Sequence, residues 1–328
     1  MAMILAGDVG GTKTALALFD GQGVNFTLVR EATLPSREFP TFEGAIARFL
    51  VDGPSGPIGA ASFGIAGPVV EGRGVTMNLP WQIDERTLEK SIPARRVRLM
   101  NDLEATGHGL GALPPTSLVT LQAGKPRSGN KALIAAGTGL GEALLIWDGK
   151  SHQVIPSEGG HADFAPRTEL EMDLLCFLAK EFGRVSYERI LSGPGFFNVY
   201  RFLRDTGRAP EPLWLTEKLK AGGDPNLVIG PAALEGRDPL CVATLDLFTA
   251  VYGAEAGNLG LKALSVGGVY IGGGIAPRFR AKIEDGAFIA AFRAKGRLSQ
   301  LMEAMPVHLL LESRTALLGA ARVAQSLV

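Results

Sequence analysis

Gly7-Asp8-Val9-Gly10-Gly11-Thr12-Lys13-Thr14, preceded by Met3-Ile4-Leu5-Ala6 and followed by Ala15-Leu16-Ala17-Leu18-Phe19-Asp20-Gly21, is the stretch on which the reading of this chain turns. Three glycines let the backbone N–H groups turn inward and approach an anion closely, where larger side chains would clash. A Walker A loop is excluded by one residue and by context. Thr12 stands where the second glycine of Gly-x-x-x-x-Gly-Lys-[Ser/Thr] belongs, and the residues after it read as a strand rather than a helix. A dinucleotide-binding Rossmann fingerprint fails for the same reason, because it too opens a helix. The pattern left is strand, glycine turn, strand, with Asp8 at the end of the first strand. By itself it also fits a ligand-free hairpin.

The pattern recurs. Lys131–Ala136, Gly137-Thr138-Gly139-Leu140-Gly141, Glu142–Trp147 and Asp148-Gly149 repeat strand, glycine turn with threonine, strand, and Asp/Gly turn. Two such hairpins, one near the start of each half, would let two related domains grip a polyphosphate.

The 328 residues suggest two domains. An apolar content of 46% supplies ample core. Lys+Arg and Asp+Glu number 33 each, so the chain has no net charge and no basic run, which argues against nucleic acid and anionic membranes as partners. Cys176 and Cys241 are too few and too far apart for a disulfide framework or a cysteine zinc site. No basic stretch precedes the first apolar residues and no apolar run reaches ~18 residues, so a soluble cytoplasmic protein is expected. The 43 glycines are unusual, and they are read as clustering at strand ends, where loops bring backbone close to ligands.

Three further segments carry chemistry. Arg96–Met100 reads as a strand delivering Asn101-Asp102 to the start of a helix over Leu103–Leu113. Asp102 is there either a helix cap or a general base. Glu158-Gly159-Gly160-His161 places a carboxylate and an imidazole on a turn, suited to a polyhydroxyl ligand or to a metal, although no third ligand at metal spacing is evident. Gly268–Ile271 reads as a strand running into Gly272-Gly273-Gly274-Ile275, a close approach to a flat or charged ligand.

Between these, strands are expected at Val24–Thr33, Ile58–Ile65 and Val307–Leu311. Helices are expected at Thr41–Val51, Asp84–Ser91, Glu169–Phe182, Phe196–Thr206, Pro239–Leu264 and Thr315–Ser326, with Pro277 opening another. Asp52–Pro57 reads as a turn, Glu71–Trp81 as a loop forming a mobile rim or a hairpin, and Ala209–Val228 as a peripheral insertion. Ala250, Gly253, Ala254 and Gly257 form a small-residue side for close helix packing.

Six segments come in the order found in bacterial glucokinases: Gly7–Thr12, Asn101-Asp102, Gly137–Gly139, Glu158–His161, Glu188–Gly195 and Gly272–Ile275. The chain resembles that family, within the actin-like ATPase and sugar kinase superfamily. The resemblance implies two α/β domains of the actin-like ATPase (ribonuclease H-like) kind flanking a cleft, with the small domain formed by 1–109 plus 312–328 and the large one by 110–311. It implies transfer of a phosphoryl group from ATP to the 6-hydroxyl of glucose.

By the same resemblance, Asp102 would take the hydroxyl proton, and Asn101, Glu158, His161 and Glu188 would hold the other hydroxyls. Gly7, Asp8, Val9, Gly10, Gly11 and Thr12, with Gly137, Thr138 and Gly139, would cradle the ATP phosphates. Gly273 and Gly274 would border the adenosine, and Asp8 would orient Mg²⁺ through water. A homodimer is also implied. Lys13 departs from the asparagine that several of these glucokinases carry, and Gly-Gly-Thr-Lys resembles a neighbouring family of sugar kinases and sugar-responsive repressors. That family also has a Glu-x-Gly-His segment, followed by a cysteine cluster that binds zinc; here no cysteine stands between His161 and Cys176, no cluster follows, and only six residues precede the hairpin, which weakens the zinc-containing and repressor readings. A kinase for mannose or N-acetylglucosamine and a non-catalytic sugar sensor are the competing expectations.

Overall fold

A computed structural model describes residues 3–20, 27–51, 53–54, 56–76 and 79–328. Parts of three expected features, the turn at Asp20-Gly21, the strand Val24–Thr33 and the turn Asp52–Pro57, lie outside the described residues, as does Asn78 in the Glu71–Trp81 loop. The chain divides into two compact units, Met1–Ser117 with Glu312–Val328, and Leu118–Leu311.

The smaller unit is built on β1 (Met3–Val9), β2 (Lys13–Asp20), β3 (Thr27–Pro35), β4 (Ile58–Ile65) and the three short strands β5 (Val69–Val70), β6 (Arg73–Val75) and β7 (Gln82–Asp84), followed by β8 (Val97–Asn101). The main sheet has the order β3-β2-β1-β4-β8. β1 pairs antiparallel with β2 and parallel with β4, which pairs parallel with β8. β1 is apolar from Met3 to Ala6 because both its faces are covered there, and Asp8 is its one charged residue. Leu5 and Val9 join the core with Phe42, Ile46, Phe49, Phe63 and Trp81, whereas Ile4 and Ala6 pack with Leu317, Ala320, Ala321 and Ala324 of the C-terminal helix Thr315–Ser326. That helix lies close to the helix Asp102–Gly109: a Cβ on Gly319 would stand 1.7 Å from the Ala105 carbonyl oxygen. The Glu71–Trp81 stretch supplies the turn and second strand of the hairpin β5-β6, which β7 extends into a three-stranded sheet.

The larger unit contains β9 (Leu118–Gln122), β10 (Lys131–Ala136), β11 (Leu140–Trp147), β12 (His152–Ser157), β13 (Gly268–Gly272) and β14 (Val307–Leu310). Its sheet runs β12-β11-β10-β13-β14-β9, with β10-β11-β12 antiparallel and β10-β13-β14 parallel. This repeats the order and directions of the first sheet with β9 added at the edge. The long helix Pro239–Ala263 meets the length and composition of a membrane span, but 78% of its apolar window is buried in the unit's core. Gly253 and Gly257 allow the helix Ala287–Arg293 to seat against it: a Cβ on either would come within 2.2 or 2.6 Å of the Phe288 or Phe292 carbonyl oxygen. Part of the glycine content thus serves helix packing rather than ligand approach.

Other boundaries moved for local reasons. The helix after Ser192 starts at Gly193, because the Ser192 hydroxyl caps it by accepting from Gly195 N (3.0 Å) and Pro194 is tolerated in the first turn. Pro277 lies inside a short helix, Ile275–Arg278, instead of opening one. The Ala209–Val228 stretch is largely helical, with Leu213–Lys220 and the start of Asn226–Leu234. β9 and β12 had no counterpart in the sequence reading.

Candidate active site

In the smaller unit the β1-β2 turn is closed by Gly10 N donating to Lys13 O at 3.0 Å. Ser36 braces it from the side: its hydroxyl donates to Gly10 O (2.7 Å), it shares a hydrogen bond with Thr14 Oγ1 (2.9 Å), and its N–H donates to Thr12 O (3.0 Å). Thr14 is buried against Ser36, while Thr12 and Lys13 are exposed. Gly7 is required by packing, since a Cβ would stand 2.7 Å from the Phe63 ring.

Asp8 and the Asn101-Asp102 pair lie at one end of the sheet. Val9 pairs with Ile65 and Ile65 with Asn101, so β1, β4 and β8 end level. With strands ~4.8 Å apart, the β1 and β8 ends are ~10 Å from each other. Gly64 fills the space between: its α-carbon faces Asp102 Cα, Ala105 Cβ and the Gly7 carbonyl. The carboxyl ends of parallel strands are where open α/β sheets bind ligands.

The cap of the helix Asp102–Gly109 is Asn101, whose Oδ1 accepts from Leu103 N at 2.8 Å and whose Nδ2 donates to Gly67 O at 3.2 Å. Asp102 is the first helical residue, and one of its oxygens also accepts from Leu103 N at 2.9 Å. Its carboxylate is thus favoured by the helix N-terminus without being the sole cap. Asp8 is half-buried, and burial pushes its carboxyl up to about 6.

In the larger unit the second glycine turn is held by Gly137 N donating to Gly139 O and Gly193 N donating to Gly137 O, both at 2.8 Å. Tyr252 ties the turn to the neighbouring strand end, its hydroxyl accepting from Ala136 N (3.2 Å) and donating to Gly272 O (3.4 Å). Gly273, at φ +81°, abuts the Ala136 carbonyl, whereas Gly137 and Gly274 face open space. Gly137–Gly139 and Gly273-Gly274 therefore share one end of the sheet, as the pairing of Ala135 with Gly272 requires.

Glu188 joins this turn to the Glu158–His161 segment. Its Oε2 accepts from Leu140 N at 3.0 Å and would stand 2.5 Å from a Cβ on Gly139. Its Oε1 lies 3.9 Å from His161 Nδ1. Gly159 and Gly160 are pressed onto the start of β11, a Cβ on Gly160 coming within 2.0 Å of Leu140 O, so the turn needs both glycines while Glu158 and His161 stay exposed.

The glucokinase family model matches residues 5–327. The glucokinase of Nostoc punctiforme is 42% identical over the whole of both chains. The chain belongs to the glucokinase family. Among solved structures, a glucokinase from an Antarctic psychrotroph has a TM-score of 0.86 at 30% identity, with 99% of each chain covered. A glucokinase from Streptomyces griseus in complex with glucose and AMPPNP shares the fold at 21% identity, with a TM-score of 0.63 and coverage of 99% and 100%.

One group behind the site escaped the sequence reading. Glu142 on β11 is buried beneath Gly159, with Oε2 2.0 Å from where a Cβ on that glycine would be, and its Oε1 has no hydrogen-bond partner. It lies within electrostatic reach of Glu255 of the long helix, which is itself 3.4 Å from Lys262 Nζ. Burial, and secondly the Glu255 charge, push the Glu142 carboxyl up to about 8. A glutamate among apolar strand residues between Gly141 and Ala143 was the available signal.

The folded state therefore holds a proton that the unfolded chain releases at the ordinary carboxyl pKa. The stability this proton confers is complete below that value and is lost as pH rises through about 8. Glu142→Gln, neutral at every pH, is expected to flatten the fall in melting temperature between pH 6 and pH 9 relative to the natural chain. Equal slopes in the two proteins would contradict the buried protonated acid.

Proposed function

We propose that the chain phosphorylates glucose at its 6-hydroxyl with Mg-ATP, each unit supplying named groups. From the smaller unit, Asp102 accepts the proton of the 6-hydroxyl as that oxygen forms its bond to the γ-phosphorus and the bond to the β-phosphate oxygen breaks, releasing ADP. Asn101 holds a neighbouring hydroxyl. Gly7–Thr12 brings its glycine turn against the phosphate oxygens, with Ser36 and Thr14 fixing the turn from behind. From the larger unit, Glu158, His161 and Glu188 hold the remaining hydroxyls. Gly137–Gly139 contacts phosphate, and Gly273 and Gly274 border the adenosine.

The residues fit a magnesium ion carried mainly by phosphate and water. Asp8 is a half-buried carboxylate whose ionised form burial disfavours, a cost that a nearby cation would offset. Among the described residues no group of three His, Cys, Asp or Glu side chains could enclose a metal. When bound, the ion neutralises charge on the transferring phosphate. Lys13, exposed at the start of β2, is assigned no role in this scheme. A soluble cytoplasmic homodimer completes the proposal.

The observation that carries these assignments is the common end of the sheet at which Asp8, near the close of β1, and Asp102, directly after β8, stand with one strand between them beside the β1-β2 glycine turn. Initial rates with ATP, Mg²⁺ and a sugar panel test it. Glucose should be turned over measurably faster than mannose or N-acetylglucosamine; equal or slower turnover of glucose would move the assignment to another hexose or amino sugar, and no turnover of any sugar would favour a sensor.

A further inference from the structure

The larger unit's sheet has a second populated end, opposite the glycine turns. There a cavity of about 480 Å³, within the size range of small-molecule sites, opens at the beginnings of β10, β12, β13 and β14 and the close of β11. Register fixes what lines it. Lys131 lies two residues from Leu133, the partner of Tyr270, and Tyr270 pairs with His308. Trp147 lies two residues from Leu145, the partner of Lys131, and pairs with His152. Because side chains alternate across a sheet, these five project from one face. Arg127, on the loop before β10, completes the wall.

The charge of this wall is one-sided. The chain carries equal numbers of Lys+Arg and Asp+Glu residues, yet among the lining residues there is no carboxylate, while Arg127 and Lys131 bring positive charge and His152 and His308 add imidazoles. Lys131 Nζ sits 5.5 Å over the Tyr270 ring, a weak substitute for an anion. Burial draws the Lys131 ammonium below its usual range, and burial together with Lys131 does the same to His308. A bound anion would relieve both. Two aromatic faces accompany the charge: Trp147, 4.8 Å from the His152 ring, and Tyr270, 5.3 Å from the His308 ring. His152 Nε2 is engaged with Gly129 O at 3.0 Å and His308 Nδ1 with Thr120 Oγ1 at 3.3 Å, which holds both rings in place.

We propose that this cavity binds a small phosphate monoester bearing a ring, its phosphate held by Lys131 and Arg127 and its ring lying along Trp147. An aryl phosphate and a sugar phosphate share this chemistry. The site is separate from the glycine turns. Lys131 and Gly137 are six positions apart along the chain, ~20 Å at strand rise, so the ligand binds alongside the reactants and does not replace them.

Calorimetric titration tests the proposal on the full chain saturated with glucose and a non-hydrolysable ATP analogue. Phenyl phosphate and glucose 6-phosphate are the probes, with phenol, glucose and inorganic phosphate as controls. At least one ester should bind saturably at one site per chain, more tightly than inorganic phosphate, while phenol and added glucose give no saturable heat. Lys131→Gln and Arg127→Gln should each weaken that ester about tenfold or more and leave kcat unchanged. Arg127 is exposed, so its variant keeps the test valid should Lys131→Gln perturb folding. No saturable binding of either ester, or binding unaffected by both substitutions, would overturn the site. Inorganic phosphate binding as tightly as both esters would overturn the ring contact.

Discussion

Asp102→Asn is expected to lower kcat by ~10²–10⁴-fold, the range lost when a positioned general base is removed, while the dissociation constant for glucose changes little. The substitution isolates proton transfer because little else is altered. An asparagine oxygen still accepts from Leu103 N, the bond Asp102 makes at 2.9 Å, and Asn101 remains the helix cap. The amide keeps the shape and can hydrogen-bond a sugar hydroxyl, but it has no lone pair basic enough to take the proton. Steady-state rates with a separate measurement of glucose binding divide the two effects. Near-normal turnover would remove Asp102 as the base; weakened binding at unchanged kcat would make it a hydroxyl ligand only.

Glu188→Ala is expected to raise KM for both reactants, by ~10–100-fold each, because one carboxylate serves two loops. Oε2 fixes the glycine turn through Leu140 N, and Oε1 faces His161. Hydrogen bonds to charged groups contribute roughly 1.5–3 kcal/mol, and a tenfold change corresponds to ~1.4 kcal/mol. Glu188→Gln separates the two arms. Its amide oxygen can still accept from Leu140 N, so KM for ATP should return near normal, while the loss of charge beside His161 leaves KM for glucose raised. Substitutions that alter only glucose binding in both variants would sever the proposed link between the turn and the sugar segment.

The sequence revealed most where a local pattern is repeated or where a strand ends in small residues. The two glycine hairpins could be read because each is a contiguous run, and their recurrence anticipated two sheets of the same order. Asn101-Asp102 could be placed at a strand-to-helix junction, but not which residue caps the helix, since that depends on side-chain geometry at the Leu103 amide. β9 escaped notice because its anchoring is distant: Gln122 on this edge strand donates to the carbonyls of Met302 and Met305, far along the chain. β12 was hidden by exposure, since its residues alternate between half-buried and solvent-facing without a strong apolar pattern. Glu142 looked like an ordinary strand residue because Glu255 and Lys262, which give it its environment, come from a helix much later in the sequence.

The reading of glycine also changed. Gly319, Gly253 and Gly257 serve helix contacts, and Gly159 and Gly160 seat a turn on β11. Only Gly137 and Gly274 among the ligand candidates of the larger unit face open space. A glycine count marks close approach of backbone but not what approaches it.

Phosphoryl transfer from Mg-ATP to the 6-hydroxyl of glucose can be read from phosphorus NMR of the product. Glucose, ATP and Mg²⁺ with the purified chain should give ADP and a single phosphate monoester coupled to the C6 protons, and 6-deoxyglucose should give none. A phosphate on any other carbon, or ester formation from 6-deoxyglucose at a rate comparable to glucose, would contradict it.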